Sequence, residues 1–487
     1  SYNADIESLR IALDFLHQQT KYQTKTLILS DIQQTGIELK ELYPKIFQLI
    51  KEKKIDRFIG IGTDLYKFKN SFGENGEFYF NTNLFIKTLQ QNPHYFSNEA
   101  ILLKGARMYH FENLLHLLEY KQHQTVLEVN LNAIIHNYNY FKSLLLPQTK
   151  ICVMVKAFSY GSGIEEIASV LQHNKVDYLA VAFTDEGVEL RKAGIRAPII
   201  VMSPEAGTFS RMVEYNLEPE IYNFRSLQMI LDECKTLVTQ NAYPVHIKIN
   251  TGMNRMGFDP DEVHRLLHII TENKETIFVK SVFSHLAASD DPDFDTFTME
   301  QISVYEQVTK QIQETLGYTF IRHILNSAGI ERFPQAQYDM VRLGIGLYGI
   351  STIDDSKLEN VSTLKTNITQ IRTVTAGSTV GYGRRGKVTV TSQIAVIPIG
   401  YADGLNRKYG NGNGYVLVKG QKAPIVGSIC MDMCMIDVTG LHAHEGDEVI
   451  IIGQGISFKQ IANTIGTIPY EIFTSISQRV KRVYVKE

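Results

Sequence analysis

The stretch Ile151-Cys-Val-Met-Val-Lys-Ala-Phe-Ser-Tyr-Gly-Ser-Gly163 is an apolar, strand-like run that ends on a lysine and a glycine-rich turn. It leads into Ile164–His173, whose apolar residues recur at helical spacing. The pattern then repeats. Further strand-like runs lie at Tyr178–Ala182, Ile199–Met202, Glu218–Ile221, Val245–Ile249, Phe278–Phe283, Ile321–Leu325 and Arg342–Leu347. Amphipathic segments such as Asp185–Ala193, Asp261–Thr271 and Thr298–Leu316 separate nearly all of them, and Leu131–Leu145 precedes the first. Eight strand–helix units over about 200 residues predict a (β/α)8 TIM barrel rather than a doubly wound sheet, which usually stops near six strands.

Working outward, the helical period fades after about Leu358. Lys387–Ile399, Gly414–Leu417 and Glu448–Ile452 are rich in Val and Ile and bounded by Gly and Asp, which predicts a mostly-β C-terminal domain. Before the barrel, Ile6–Gln18 is amphipathic and Thr26–Leu29, Arg57–Ile61 and Ala100–Leu103 are short apolar runs, as in a small α/β unit. The polar segment Glu119-Tyr-Lys-Gln-His-Gln-Thr125 separates the two. The predicted domains are therefore 1–121 (α/β), 126–357 (barrel) and 358–487 (β), within the two or three that 487 residues suggest.

Composition narrows the function classes. Hydrophobic residues at 44% and charged residues at 21% fit an ordinary folded protein, and 49 basic against 52 acidic residues leave a net charge of −3, too weak a field for a nucleic-acid partner. No apolar run reaches about 18 residues and no signal peptide opens the chain, so neither membrane nor export is expected and a cytoplasmic location is the default. Four cysteines do not make a disulfide framework and are read as core residues; Cys430 and Cys434 lack the second ligand pair a metal would need.

In a barrel, chemistry sits at the C-terminal ends of strands, and phosphate is often held by the loops after strands seven and eight. Lys156 ends the first strand, where partial desolvation would free its amine as a nucleophile, unless it is an ordinary lysine snorkelling to solvent. Ser327 follows strand seven. Gly344 belongs to strand eight; a hydroxyl and nearby backbone N–H groups suit a phosphate, although close packing explains Gly344 equally well.

The series Val155-Lys-Ala-Phe-Ser-Tyr-Gly, His246-Ile-Lys-Ile-Asn-Thr-Gly-Met-Asn-Arg-Met-Gly257, Phe283-Ser-His-Leu-Ala, Asn326-Ser-Ala, Val341-Arg-Leu-Gly-Ile-Gly-Leu-Tyr-Gly, Val380-Gly-Tyr-Gly, Ile399-Gly-Tyr-Ala-Asp-Gly and Ile429-Cys-Met-Asp-Met resembles the alanine racemases, in the family's order, over about three quarters of the chain. That resemblance implies a pyridoxal 5'-phosphate (PLP) enzyme interconverting L- and D-alanine with two bases, and a homodimer with composite active sites. Lys156 would bind the cofactor and serve as one base. Tyr382, from the partner subunit, would be the other; without the resemblance, a tyrosine between two glycines reads as a turn residue.

The cofactor would be met by Tyr160, Arg255, His285, Ser327, Arg342, Gly344, Ile345 and Tyr470, with Arg342 facing the pyridine nitrogen. His285 would fix Arg342, or be simply a satisfied core histidine. Arg255, Met431 and Tyr401 would meet the substrate, with Asp432 beside them. Lys248 matches a lysine that is carbamylated in some members and is otherwise a plain surface lysine. The sequence departs from the usual pattern at Phe158 (Asn), Ser159 (Ala), Ser162 (His), Asn250 (Asp) and Asn254 (Gly). Racemases of other small amino acids such as serine, barrel decarboxylases and a non-catalytic cofactor-binding scaffold are the rival readings.

The N-terminal unit carries a second resemblance. Ser1-Tyr-Asn-Ala-Asp-Ile-Glu-Ser-Leu, Ile28-Leu-Ser-Asp-Ile-Gln-Gln-Thr-Gly and Leu103-Lys-Gly-Ala-Arg-Met are similar to the third domain of Mur ligases that add D-alanyl-D-alanine to the peptidoglycan precursor. No Gly-x-x-x-x-Gly-Lys-Ser/Thr phosphate loop occurs, so ligation by this chain alone is not expected. With Ser1 in place of an initiator Met, the expectation is the C-terminal part of a ligase–racemase fusion.

Overall fold

The computed structural model describes residues 6–19, 22, 24–32, 37–72, 76–92, 95–111, 114, 118, 125–236 and 242–486. Two compact units emerge, one of residues 1–122 with 486–487 and one of residues 123–485. Most of the polar segment expected as the boundary, and the Ser1–Asp5 part of the ligase-like motif, lie outside the described residues.

The first unit has a four-stranded parallel sheet in the order Gly76–Tyr79, Arg57–Ile61, Thr24–Ser30, Glu99–Lys104. Helix Ile6–Gln18 buries Leu9, Ala12, Leu13 and Leu16, one stripe at helical spacing, in keeping with its sequence pattern. The edge strand Gly76–Tyr79 was not expected, because Gly-Glu-Phe-Tyr carries neither a β-branched run nor strict alternation.

In the second unit, eight parallel strands form a nearly closed barrel: Lys150–Met154, Tyr178–Val181, Ile199–Val201, Glu218–Ile221, Tyr243–Lys248, Ile277–Phe283, Ile321–His323 and Met340–Leu343. The eighth pairs with the first, and Asp339 N to Arg322 O (3.1 Å) and Arg342 N to Leu325 O (2.9 Å) tie it to the seventh. Strands covered on both faces need continuous apolar sequence, and the second and third are wholly buried. The eighth strand is shorter than the expected run to Leu347. It stops at Leu343, where Ile345–Tyr348 turn into a 3-10 helix.

The other layer is a nine-stranded sheet whose order ends Glu448–Ile452, Ser362–Asn367, Val126–Asn130, Lys481–Val485. Val126–Asn130, expected at the head of the barrel, lies inside this sheet, antiparallel to Ser362–Lys365 and parallel to Lys481–Val485. Its alternating Val-Leu-Glu-Val-Asn pattern cannot say which partners it will meet. The single run expected over Lys387–Ile399 is broken, with strand residues at Gly386–Lys387 and Ser392–Ile397. Cys152, Cys234 and Cys434 are buried as expected, whereas Cys430 is only half-buried. No described helix is long and apolar enough to cross a membrane.

Candidate active site at the barrel mouth

Lys156 stands just past the C-terminal end of the first barrel strand, and the chain behind it turns left-handed. Ala157, Phe158, Ser159 and Tyr160 all have φ between +50° and +56°, and Gly161 follows at +80°. This conformation costs side-chain-bearing residues about 1–2 kcal/mol each, so the surroundings must impose it. They do so at several points. Glu186 Oε1 accepts from Ala157 N (2.6 Å), Arg482 Nε donates to Gly161 O (2.9 Å), and the Tyr160 ring lies 4.6 Å from that of Tyr348 and 6.0 Å from that of Tyr470. Burial lowers the pKa of Lys156, and the neighbouring charges of Arg255 and Lys248 push it the same way, against the pull of Glu186 and Glu220.

After strands seven and eight, Ser327 Oγ accepts from Gly344 N (2.9 Å) and Gly346 N (3.2 Å). A Cβ on Gly344 would come within 3.0 Å of Tyr160 Oη and 3.7 Å of Ser327 Oγ, so hydroxyls and backbone N–H groups converge on a space that only glycine leaves open. Tyr160, Ser327 and Gly344 thus meet around one small hollow, with the Tyr470 ring beside that of Tyr160. Such a set can hold a phosphate by geometry, without a formal positive charge.

Deeper in the barrel, Arg342 Nη1 donates to His323 Nδ1 (2.7 Å) and to His323 O (3.3 Å). Its Nη2 meets Ser284 O (2.5 Å), Ile324 O (3.0 Å) and His285 Nδ1 (3.2 Å). Nε has no acceptor among the described residues. Because Arg342 has only donors, both imidazoles must receive at Nδ1 and carry their proton on Nε2. The orientation runs on: His323 Nε2 donates to Ser281 Oγ (2.9 Å), Ser281 to His246 Nδ1 (2.6 Å), and His246 Nε2 to Glu218 (2.7 Å). Burial holds the pKa of His285 and of His323 well below 6.5, and Arg342 reinforces it. Burial also brings Arg342 down to about 10, which leaves it cationic at neutral pH.

Lys248 is buried, which removes the surface-lysine reading, and its Nζ lies 3.1 Å from the fully buried Glu220. Arg255 is exposed on the loop that follows. Two departures from the usual sequence are explained there. Asn254 adopts φ +54°, which asparagine tolerates, and Asn250 Oδ1 accepts from Gly252 N and Asn254 N while its Nδ2 donates to Asp259. Nothing in the structure explains Ser159, whose side chain is fully buried.

Tyr382, Tyr401 and Met431 lie on the β domain, with Tyr382 74% exposed between Gly381 (φ +74°) and Gly383 (φ +65°). Among the described residues, no hydrogen bond, ion pair or ring contact joins these three to Lys156 or the hollow. Tyr401 and Met431 are neighbours, since Tyr401 N donates to Cys430 O and Ala402 N to Met431 O (both 3.0 Å). Asp403, fully buried, accepts from Gly400 N (2.8 Å) and from Arg479 Nε (2.7 Å), while Arg479 Nη2 reaches Asp432 (2.7 Å).

Sequence reasoning missed Glu186, Glu220, His323 and Asp403. Glu186 had a signal: a glutamate on the first turn of a helix whose Oε2 accepts from Ala182 N and Phe183 N. Glu220 and His323 had one too, as ionisable residues inside otherwise apolar barrel strands.

Fold and site together define a barrel protein that presents an amine, an anion hollow and a histidine-braced arginine at the strand ends. Residues 129–352 match the family model described as alanine racemase, N-terminal domain, and residues 361–484 match the C-terminal domain. The alanine racemase of Clostridium kluyveri is 37% identical over 374 residues, 74% of this chain and 93% of that protein. The solved alanine racemase of Clostridium difficile 630 is 37% identical with a TM-score of 0.71, covering 75% of this chain and 97% of that one. That of Bartonella henselae, solved with covalently bound pyridoxal phosphate, is 28% identical with a TM-score of 0.69, covering 74% of this chain and 100% of that one. The chain belongs to the alanine racemase family.

Proposed function

We propose that this protein is a PLP-dependent alanine racemase that interconverts L- and D-alanine with two bases, Lys156 and the Tyr382 of a second copy. The observation that carries the reading is the meeting of Tyr160 Oη, Ser327 Oγ and Gly344 around one small hollow, with Tyr160 on the turn that follows Lys156, in a chain of this family. Its donors fit a phosphate, and Arg342 Nε is the guanidinium nitrogen with no acceptor among the described residues, suited to the pyridine nitrogen. When bound, PLP supplies the conjugated ring that delocalises the electron pair left as the Cα–H bond breaks.

The chain's residues do the rest. Tyr160, Ser327, Tyr470 and the Ile345 N–H would hold the phosphate, with Gly344 leaving room for it and its own N–H orienting Ser327 Oγ. Lys156 Nζ anchors the cofactor and then moves the proton on one face of Cα, a role its lowered pKa favours because the neutral amine is reached at lower pH. Tyr382 Oη holds the proton on the other face. Arg255 meets the substrate carboxylate, and Tyr401 and Met431 narrow the entrance around a methyl side chain. Arg342, cationic at neutral pH, would restrain side reactions that a protonated pyridine would allow. Residues 1–121 we read as Mur-ligase-like, in a fusion supplying D-alanine for peptidoglycan; their parallel sheet supports an α/β unit of that kind. Four cysteines free of disulfides suit the reducing cytoplasm.

Incubation with L-alanine in deuterated water tests the activity. Deuterium should enter Cα as optical rotation is lost, and Lys156→Ala should abolish both. A Lys156→Ala protein that still racemises would overturn the assignment.

A further inference from the structure

Glu220 is the penultimate residue of the fourth barrel strand, fully buried, beside His246 in register and pointing toward Lys248 on the fifth. Its Oε1 lies 3.1 Å from Lys248 Nζ as an ion pair, and neither carboxylate oxygen has a hydrogen bond among the described residues. A carboxylate so deeply buried is retained only where a cation answers it. Here Lys248 is that cation, itself 5% exposed; burial pushes the Glu220 carboxyl up, and Lys248, Arg342 and Arg255 oppose that rise. The Phe283 ring lies over the same space, 5.4 Å from Lys248 Nζ and 5.2 Å from Arg342 Cζ.

We infer that Glu220 is a built-in anionic partner for Lys248, a positioning residue that keeps this lysine an unmodified ammonium and makes a carbamate there unnecessary. The inference rests on the racemase reading only for the part Lys248 plays next to Arg255. To become a carbamate, the ammonium must lose one proton to solvent, the Nζ lone pair must attack the carbon of CO2, and a second proton must leave as the N–C bond settles. The product is an anion. Placed against Glu220, it would turn an attractive buried pair into a repulsive one. Burial by itself lowers the Lys248 pKa and would favour the reaction; the carboxylate 3.1 Å away opposes it. One negative charge is wanted at this point, and the fourth strand already supplies it.

The holoenzyme equilibrated with isotope-labelled bicarbonate at mildly alkaline pH, followed by carbon NMR, decides the matter without reference to turnover. The wild type should show no carbamate resonance, and its activity should be the same in CO2-depleted and bicarbonate-supplemented buffer. Glu220→Gln removes the charge and should acquire a carbamate resonance, lose kcat/KM by tenfold or more in CO2-depleted buffer, and regain part of it with bicarbonate. Glu220→Asp should behave as the wild type does. A carbamate resonance in the wild type overturns the inference even if Glu220→Gln fails to fold, and so does a folded Glu220→Gln protein that stays unlabelled. Since labelling is read from the carbamate carbon, a protein inactive on alanine would sink the racemase reading while leaving this result intact.

Discussion

His285 and His323 both accept from Arg342, and that single fact ties the chemistry of the site to the stability of the barrel. An unfolded histidine takes up a proton as the pH falls through about 6.5, whereas these two stay neutral in the fold, so the unfolded state binds more protons in acid. Stability should therefore be fully present above about pH 6.5 and decline below it, by up to about 1.4 kcal/mol per pH unit for each histidine. Urea unfolding across that range should show the decline, and His323→Gln should make it shallower while lowering stability at neutral pH by about 1–3 kcal/mol. A variant with the parent's slope would remove His323 from the account. At this scale much was legible: Lys156 follows the first barrel strand, Ser327 the seventh and Gly344 the eighth, and Arg342 lies within the eighth. His323 and Glu220 were not, because a polar residue in a barrel strand acquires meaning only from the strands on either side.

The decisive element is the left-handed turn Ala157–Tyr160, since it carries the chain from Lys156 at the strand end to Tyr160 beside Gly344. Its end is pinned by Gly161, where φ is +80° and a Cβ would overlap the carbonyl oxygen of Phe473. Gly161→Ala should thus destabilise the protein by about 1–3 kcal/mol or more, visible as a lowered Tm with or without cofactor. Gly344→Ala should behave differently. Its Cβ intrudes on the hollow, near Tyr160 Oη, so the apoenzyme Tm should change little while PLP affinity, titrated by absorbance, falls about tenfold or more, a loss of about 1.4 kcal/mol or more. Equal effects of the two substitutions would mean that the hollow is packing space. Glycine periodicity told where chain direction changes, but the left-handed run of four non-glycine residues had no local signature. Contacts from Glu186 and Arg482, distant in sequence, impose it.

Across the whole molecule, the amine and the exposed phenol belong to different layers, and no described contact joins them within one chain. If each site draws its phenol from a second copy, two inactive variants must complement each other. Mixing Lys156→Ala with Tyr382→Ala under conditions of subunit exchange should restore about one quarter of wild-type activity, because half the dimers are hybrids and each hybrid holds one intact site. A mixture as inactive as its components would show that the site is complete within one chain.

Sequence alone determined the eight strand–helix units, the β-rich C-terminal domain and the amine at the first strand's end, because hydrophobic period and glycine punctuation act over a few residues at a time. Only the tertiary structure decided that Val126–Asn130 joins the β sheet, that Glu220 answers Lys248, and that His323 braces Arg342. Those pairings join groups far apart along the chain. Burial makes each one obligatory, since a charge or donor removed from water must find its partner wherever the fold brings one.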